Sequence, residues 1–178
     1  MRKRIIKKSN HWMLKAFFLT LFISAIFSFL ANSVLSISPV WVSCIIILLF
    51  ISIGAVGDAI ATAVTIADSV PFNSMASRQV KGGKTAIFLI QHADKVANIC
   101  GDIIGDICAV ISGGAVVILV NTLAGTQLPV YILMIIFSAF VSALTVGLKG
   151  TGKFIAIHNA NEIINRVALF LCFFRREK

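Results

Sequence analysis

The sequence contains the stretch Asn98-Ile99-Cys100-Gly101-Asp102-Ile103-Ile104-Gly105-Asp106, which lies inside an apolar run over residues 96–120. In a helix, Asn98, Asp102 and Asp106 recur every four residues and share one face. Ionisable side chains at membrane depth are costly, so they indicate a functional site by default. Small residues recur at the same spacing on the adjacent face and let a neighbouring helix approach closely: Ala97, Gly101, Gly105 and Ala109.

The composition predicts an integral membrane protein. Of 178 residues, 58% are hydrophobic and 13% are charged, with a mean hydropathy of +0.98. Soluble domains carry roughly 25% charged residues. The net charge of +9 comes from basic clusters that flank apolar runs, so membrane topology explains it and no nucleic-acid partner is expected. The four cysteines form no C-x-x-C pair, so neither a zinc site nor a disulfide framework is expected.

Four apolar runs approach or exceed the roughly 20 residues that a bilayer requires: 16–36, 42–66, 96–120 and 130–148. We expect the first run to be a retained helix, with a cleaved secretory signal as the alternative. The glycines of Lys149-Gly150-Thr151-Gly152-Lys153 predict a helix break after the fourth run. Residues 71–95 predict a short amphipathic surface helix on either side of the breaker Gly82-Gly83, with basic residues toward anionic headgroups. Residues 155–174 predict a further amphipathic surface helix. The predicted fold class is therefore all-α, with four transmembrane helices and surface helices after the second and fourth.

The distribution of positive charge predicts the topology. With the N-terminus in the cytoplasm and four crossings, all 16 Lys and Arg residues fall on the cytoplasmic side. The two outer loops, 37–41 and 121–129, contain none. Because positive charge favours the inner side, we expect a multi-pass cell-membrane protein with both termini in the cytoplasm.

Oxygen-bearing side chains predict a divalent-cation site. The candidate ligands are Asn98, Asp102 and Asp106, helped by Asp58 and Thr62 of the second helix. Hard cations such as Mg²⁺ take such ligands, often through retained water. The alternative is a structural polar network, or an aspartate paired with Lys149 or Lys153. No catalytic motif such as H-E-x-x-H or G-x-S-x-G is present, so no enzyme is expected.

The order of these features resembles a known family. A small, polar helix end (57–63) precedes a basic surface stretch (77–86), and the next helix carries Gly-Asp where a Gly-Asn signature is expected. The last helix leads into Gly152-Lys153-Phe154-Ile155-Ala156-Ile157-His158-Asn159-Ala160-Asn161-Glu162. Over about residues 42–167 this resembles the transmembrane domain of the CorC/CorB (cyclin-M) magnesium transport family, where a Gly-Glu-x-x-Pro-Lys segment precedes an Arg-Asn-Pro-Glu-like stretch. Lys153 and Asn159 match that pattern, and Glu162 lies one residue beyond it.

The resemblance implies Mg²⁺ transport or homeostasis by a CorC-like bundle of the last three crossings. Residues 1–40 would form an extra first helix and 41–178 the CorC-like domain, without the family's cytosolic CBS and C-terminal domains. The small-residue faces suggest a homodimer in the lipid bilayer. The chain departs from the family because Lys149 falls on its glutamate and Gly152 on its proline.

The departure at Lys149 leaves two functional alternatives. In the first alternative, Lys149 pairs with Asp102 or Asp106 in place of a bound cation, and the protein is a non-transporting scaffold or regulatory protein. In the other alternative Lys149 snorkels outward, and the two aspartates strengthen a cation site.

Overall fold

A computed structural model describes residues 2–123 and 129–174, and these residues form helices without any strand. The helices are α1 (Arg2–Leu35), α2 (Val40–Ile66), α3 (Ser69–Ser77), α4 (Gly83–Gln91), α5 (Ala93–Thr122), α6 (Val130–His158) and α7 (Ala160–Phe174). A π-helical turn interrupts α5 at Asn98–Ile103. The predicted all-α fold class is confirmed.

Four of the helices are long and apolar enough to cross a membrane: Phe17–Leu35 within α1, and all of α2, α5 and α6. In α5, 56% of the most apolar window is buried within the protein, whereas the buried share is 6% in α1 and 0% in α6. Exposed apolar helices fit lipid contact, since the acyl chains are as apolar as the side chains. The chain is a polytopic membrane protein.

The described residues divide into two compact units, one within 1–51 and 106–142 and the other within 52–105 and 143–178. The first unit buries apolar side chains of α2 and α5, including Ile47, Ile111 and Leu119. The second unit has a core of small and aliphatic residues around one aromatic ring: Ala63, Val64, Phe72, Ala86, Leu89, Ala156, Ala160, Ile164 and Ala168. The helices α4 and α7 contribute alanines to this core at Ala86, Ala160 and Ala168, which permit close approach, whereas α3 contributes the ring of Phe72.

Two local sequence signals, Asp68 and Gly82, determine where α3 and α4 begin. Asp68 ends the connection from α2 and caps α3, because its carboxylate accepts a hydrogen bond from the amide of Val70 at 3.0 Å. Gly82 has a φ of 86°, a left-handed conformation that glycine adopts without strain, and α4 begins directly after it. The predicted short helices on either side of Gly82-Gly83 are confirmed.

The predicted helix break at residues 149–153 is wrong, because α6 continues through both glycines to His158. Gly152 lies at a tight contact between helices, because a Cβ there would come within 3.2 Å of the carbonyl oxygen of Ala55. The glycine therefore serves close helix packing rather than a turn. The first helix also begins earlier than predicted, at Arg2, and residues 124–128 of the predicted outer loop lie outside the described residues.

Candidate functional site: an acidic cleft with two lysines

Asp58 is the centre of a charged cluster in the second unit. Its Oδ2 lies 3.3 Å from the Nζ of Lys153 and 3.9 Å from the Nζ of Lys149. The Asp58 side chain is 15% exposed, against 25% for Lys149 and 52% for Lys153. Two ammonium groups thus neutralise a largely buried carboxylate, which would be costly without a partner.

Two glycines bring α2 and α5 together beside Asp58. A Cβ on Gly57 would lie 2.5 Å from the carbonyl oxygen of Cys100, and one on Gly101 would lie 3.0 Å from the Cβ of Ala61. Only glycine fits against the carbonyl of Cys100, whereas the contact at Gly101 is merely tight. The carbonyl of Cys100 belongs to the π turn of α5, a feature that is often found at functional sites. The neighbouring backbones therefore fix Asp58 against the polar part of α5.

The same α6 face supplies both lysines. Lys149 and Lys153 are one helical turn apart, so they project in the same direction from the uninterrupted helix. The Nζ of Lys149 lies 3.6 Å from the place that a Cβ on Gly105 would occupy. A Cβ at position 105 would therefore be in ordinary van der Waals contact with the ammonium group.

An open cleft of about 450 Å³ lies beside this cluster. Its lining comprises three carboxylates, neutral polar groups, one lysine and small residues: Asp58, Asp94, Asp102, Asn98, Thr62, Thr65, Lys153, Ala61, Ala97 and Gly101. With Lys149, which contacts Asp58, two cations face three carboxylates. The cleft keeps an excess of one negative charge, which attracts cations.

The polar groups of the cleft differ in whether they already form hydrogen bonds or ion pairs within the protein. The amide Nδ2 of Asn98 donates to Asp102 Oδ2 at 2.8 Å, which leaves the amide oxygen of Asn98 as an acceptor. The hydroxyls of Thr62 and Thr65 donate to backbone carbonyls of α2, both at 2.8 Å. Within residues 2–123 and 129–174, neither Asp94 nor Asp102 forms an ion pair. Asp94, Asp102 and Asn98 therefore have spare oxygen ligands, and those of Asp102 and Asn98 lie side by side.

The described side chains contain no group of three or more His, Cys, Asp or Glu residues able to hold a metal ion. A compact all-carboxylate cage is thus not formed here. Asp94 and Asp102 are eight residues apart, about 12 Å along a helix axis, so one ion cannot bind both directly. The donor set suits a cation that keeps most of its water and takes one or two carboxylates, as Mg²⁺ does.

The structure places four of the five predicted ligands along this cleft: Asp58, Thr62, Asn98 and Asp102. Asp106 is exposed and is not among the described residues that line it. The prediction of a shared face assumed a regular period of four, whereas a π turn with i→i+5 hydrogen bonds spans Asn98–Ile103. Sequence reasoning missed Asp94, although it continues the spacing of Asn98 and Asp102 by one step of four.

The prediction that Lys149 pairs with Asp102 or Asp106 is wrong. Within the described part of the chain, the ion pair of Lys149 is with Asp58 and none links it to Asp102 or Asp106. The alternative in which an aspartate pairs with Lys149 or Lys153 is confirmed, and the acid is Asp58. The continuous helix is the reason, since it holds both lysines against α2.

Comparison of the chain with protein-family models, curated proteins and solved structures finds no match. The likeness to the CorC/CorB (cyclin-M) family therefore stays a prediction from the residues quoted above.

Proposed function

We propose that this polytopic membrane protein acts in divalent-cation transport or homeostasis, in the manner of the CorC/cyclin-M type, with Mg²⁺ as its ion. One observation carries the proposal: Asp102 and Asn98 line an open cleft that retains excess negative charge after both lysines are counted. The lysines neutralise Asp58, so Asp102 is left for a mobile cation.

The proposed site uses Asp102 as the charged ligand and the amide oxygen of Asn98 as a neutral one. Thr62 and Thr65 supply oxygens across the cleft for a hydrated ion. Asp94 lies toward the other end of the cleft lining on α5, where it would concentrate cations without binding the same ion. The carboxylate of Asp58 is paired with both lysines, so it balances their charge and is not a free ligand for the ion.

Isothermal titration of the full chain in detergent with MgCl₂ tests this proposal. The wild type is expected to bind Mg²⁺, and Asp102→Asn to lose that binding. Asp106→Asn is the matched control, because it makes the same change in the same helix outside the cleft lining. An affinity unchanged in Asp102→Asn, or absent from the wild type, would reject the cation site. Mg²⁺ uptake into proteoliposomes then separates transport from binding alone.

The proposal includes a multi-pass placement in the cell membrane with both termini in the cytoplasm, a non-enzymatic role and a homodimer. The charge asymmetry of the loops supports the orientation. Reporter fusions at each terminus test it, and a reporter active on the outer side at either end would contradict it. Crosslinking in membranes tests the dimer.

The two ion pairs at Asp58 favour a second candidate function. In this candidate the lysines hold the place of a cation permanently, and the protein is a non-transporting scaffold or regulator in the membrane. Its signature is that wild type binds no Mg²⁺, whereas the double variant Lys149→Gln/Lys153→Gln gains binding because Asp58 becomes available. Lys7→Gln/Lys8→Gln removes the same charge elsewhere in the chain and serves as the control. Failure of the double variant to bind would reject this candidate.

A further inference from the structure

A short basic turn joins α3 to α4. Arg78, Lys81 and Lys84 fall within seven positions and all three are exposed. Among the described residues none of the three forms an ion pair, whereas Lys149, Lys153 and Arg166 of the same unit each have an acidic partner. These three cations are therefore available to an external anion.

The backbone of this basic turn includes two residues in the left-handed region. Gln79 and Gly82 both have positive φ angles, 54° and 86°. Gly83 packs so closely on α3 that a Cβ would lie 2.8 Å from the amide nitrogen of Ala76. The three cations are thus carried by a turn that packs closely against α3.

The C-terminal end of α7 lies beside the basic turn. The Cδ2 of Leu169 is 3.2 Å from the position that a Cβ on Gly82 would take. The next residues of α7 carry exposed aromatic rings, with Phe170 65% and Phe173 87% exposed. Val80 in the turn itself is also exposed. Apolar and cationic groups are therefore adjacent on this surface.

We propose that the basic turn and the C-terminal end of α7 form a docking surface for anionic phospholipid headgroups of the membrane leaflet. At 15 residues α7 is too short to span a bilayer, so it fits a helix that lies in the interface. Phe side chains of an interfacial helix bury into the boundary between headgroups and acyl chains, and each nearby Lys or Arg strengthens attraction to an anionic surface roughly fivefold. The exposed phenyl rings favour lipid over a soluble acidic partner, because the chain spans a membrane whose acyl chains can bury such rings. This proposal does not depend on the cation site.

Native mass spectrometry of lipid retained by the full chain tests the surface. Purified protein is equilibrated with equal amounts of phosphatidylglycerol and phosphatidylcholine in detergent. The wild type is expected to retain the anionic lipid preferentially, and added NaCl to weaken that preference. The triple variant Arg78→Gln/Lys81→Gln/Lys84→Gln is expected to lose it by roughly 10- to 100-fold in relative affinity.

The control is Arg2→Gln/Lys3→Gln/Arg4→Gln, which removes the same charge from another part of the sequence. A second variant, Phe170→Ser/Phe173→Ser, is expected to lower retention of both lipids without changing their ratio. An unchanged preference in the basic-turn variant would overturn the proposal, and so would an equal loss in the control. Absence of any preference in the wild type would also overturn it, and would leave the turn to a soluble acidic partner.

Discussion

Lys153 Nζ lies 3.3 Å from Asp58 Oδ2, although 95 positions separate the two residues in the sequence. This pair joins the small, polar end of α2 to the part of α6 that we propose to lie near the cytoplasm. Lys149 adds a second ammonium group to the same carboxylate oxygen at 3.9 Å. The charge of Asp58 is therefore balanced by the protein itself, and the remaining negative charge of the cleft belongs to α5.

The Asp58–Lys153 pair predicts a measurable coupling. In a double-mutant cycle with Asp58→Asn and Lys153→Met, we expect a coupling of about 1 kcal/mol in the free energy of unfolding, because the acid is mostly buried but the lysine is half exposed. Lys149 remains to neutralise Asp58 in the single lysine variant and keeps the value modest. Unfolding in denaturing detergent gives the measurement.

The exposed Arg166–Glu162 pair within α7 is the control cycle for that experiment. An i,i+4 pair of this kind is expected to contribute about 0.3–0.5 kcal/mol and to fade with salt. A coupling at Asp58 no larger than this control would contradict the central role of the cluster.

Gly57→Ala is expected to destabilise the protein by about 1–3 kcal/mol, because the new methyl group would meet a backbone carbonyl that cannot rotate away. The carbonyl is that of Cys100, whose oxygen is 2.5 Å from the place that the Cβ would occupy. Gly147→Ala is the matched control, since nothing lies within 4 Å of a Cβ there and alanine favours helix. Thermal unfolding in detergent compares them. Equal melting temperatures would show that α2 and α5 are not closely packed at this point.

Gly83→Ala is expected to loosen α3 from α4. The added Cβ would lie 2.8 Å from the backbone nitrogen of Ala76, and the cost of such overpacking is about 1–3 kcal/mol. Faster hydrogen exchange of the α3 and α4 amides is the expected readout. Gly150→Ala in α6 has open space and should leave exchange unchanged. Unaltered protection in Gly83→Ala would argue against the close contact.

Asn161→Ala is expected to detach the start of α7 from the connection between α2 and α3. The backbone N–H of Asp68 donates to Asn161 Oδ1 at 2.9 Å, and losing one such bond costs about 1 kcal/mol. The amide of Asp68 should then exchange faster with solvent. Asn73→Ala removes an exposed asparagine from α3 and should have no such effect. Slow exchange retained in Asn161→Ala would mean that another group protects this amide.

Much of the secondary structure could be predicted because it follows from the local pattern. The end of α2 at Ile66 and the two short helices around Gly82 match their sequence signals. The continuation of α6 through Gly150 and Gly152 could not be predicted, since a glycine signals both a break and a close contact. Only the position of Ala55 distinguishes these meanings.

The candidate site was predicted in its residue types but not in its pairing. The spacing of Asn98 and Asp102 was enough to place their side chains together, and the structure shows them bonded at 2.8 Å. The face of Asp106 was not predictable from a period of four, because a π turn spans Asn98–Ile103 in the segment packed against Gly57. The sequence also contained no signal for choosing Asp58 over Asp102 as the partner of Lys149.

The amino-acid sequence by itself determined an all-α membrane protein with four apolar spans, because the cost of burying backbone polar groups in lipid leaves helices as the solution for such runs. It also determined which side chains bring charge into those spans. Tertiary structure alone decided that Lys149 and Lys153 meet Asp58, and that Asp102 stays available in the cleft. The physical reason is that helix formation depends on near neighbours along the chain, whereas charge pairing depends on which helix faces come within a few ångströms.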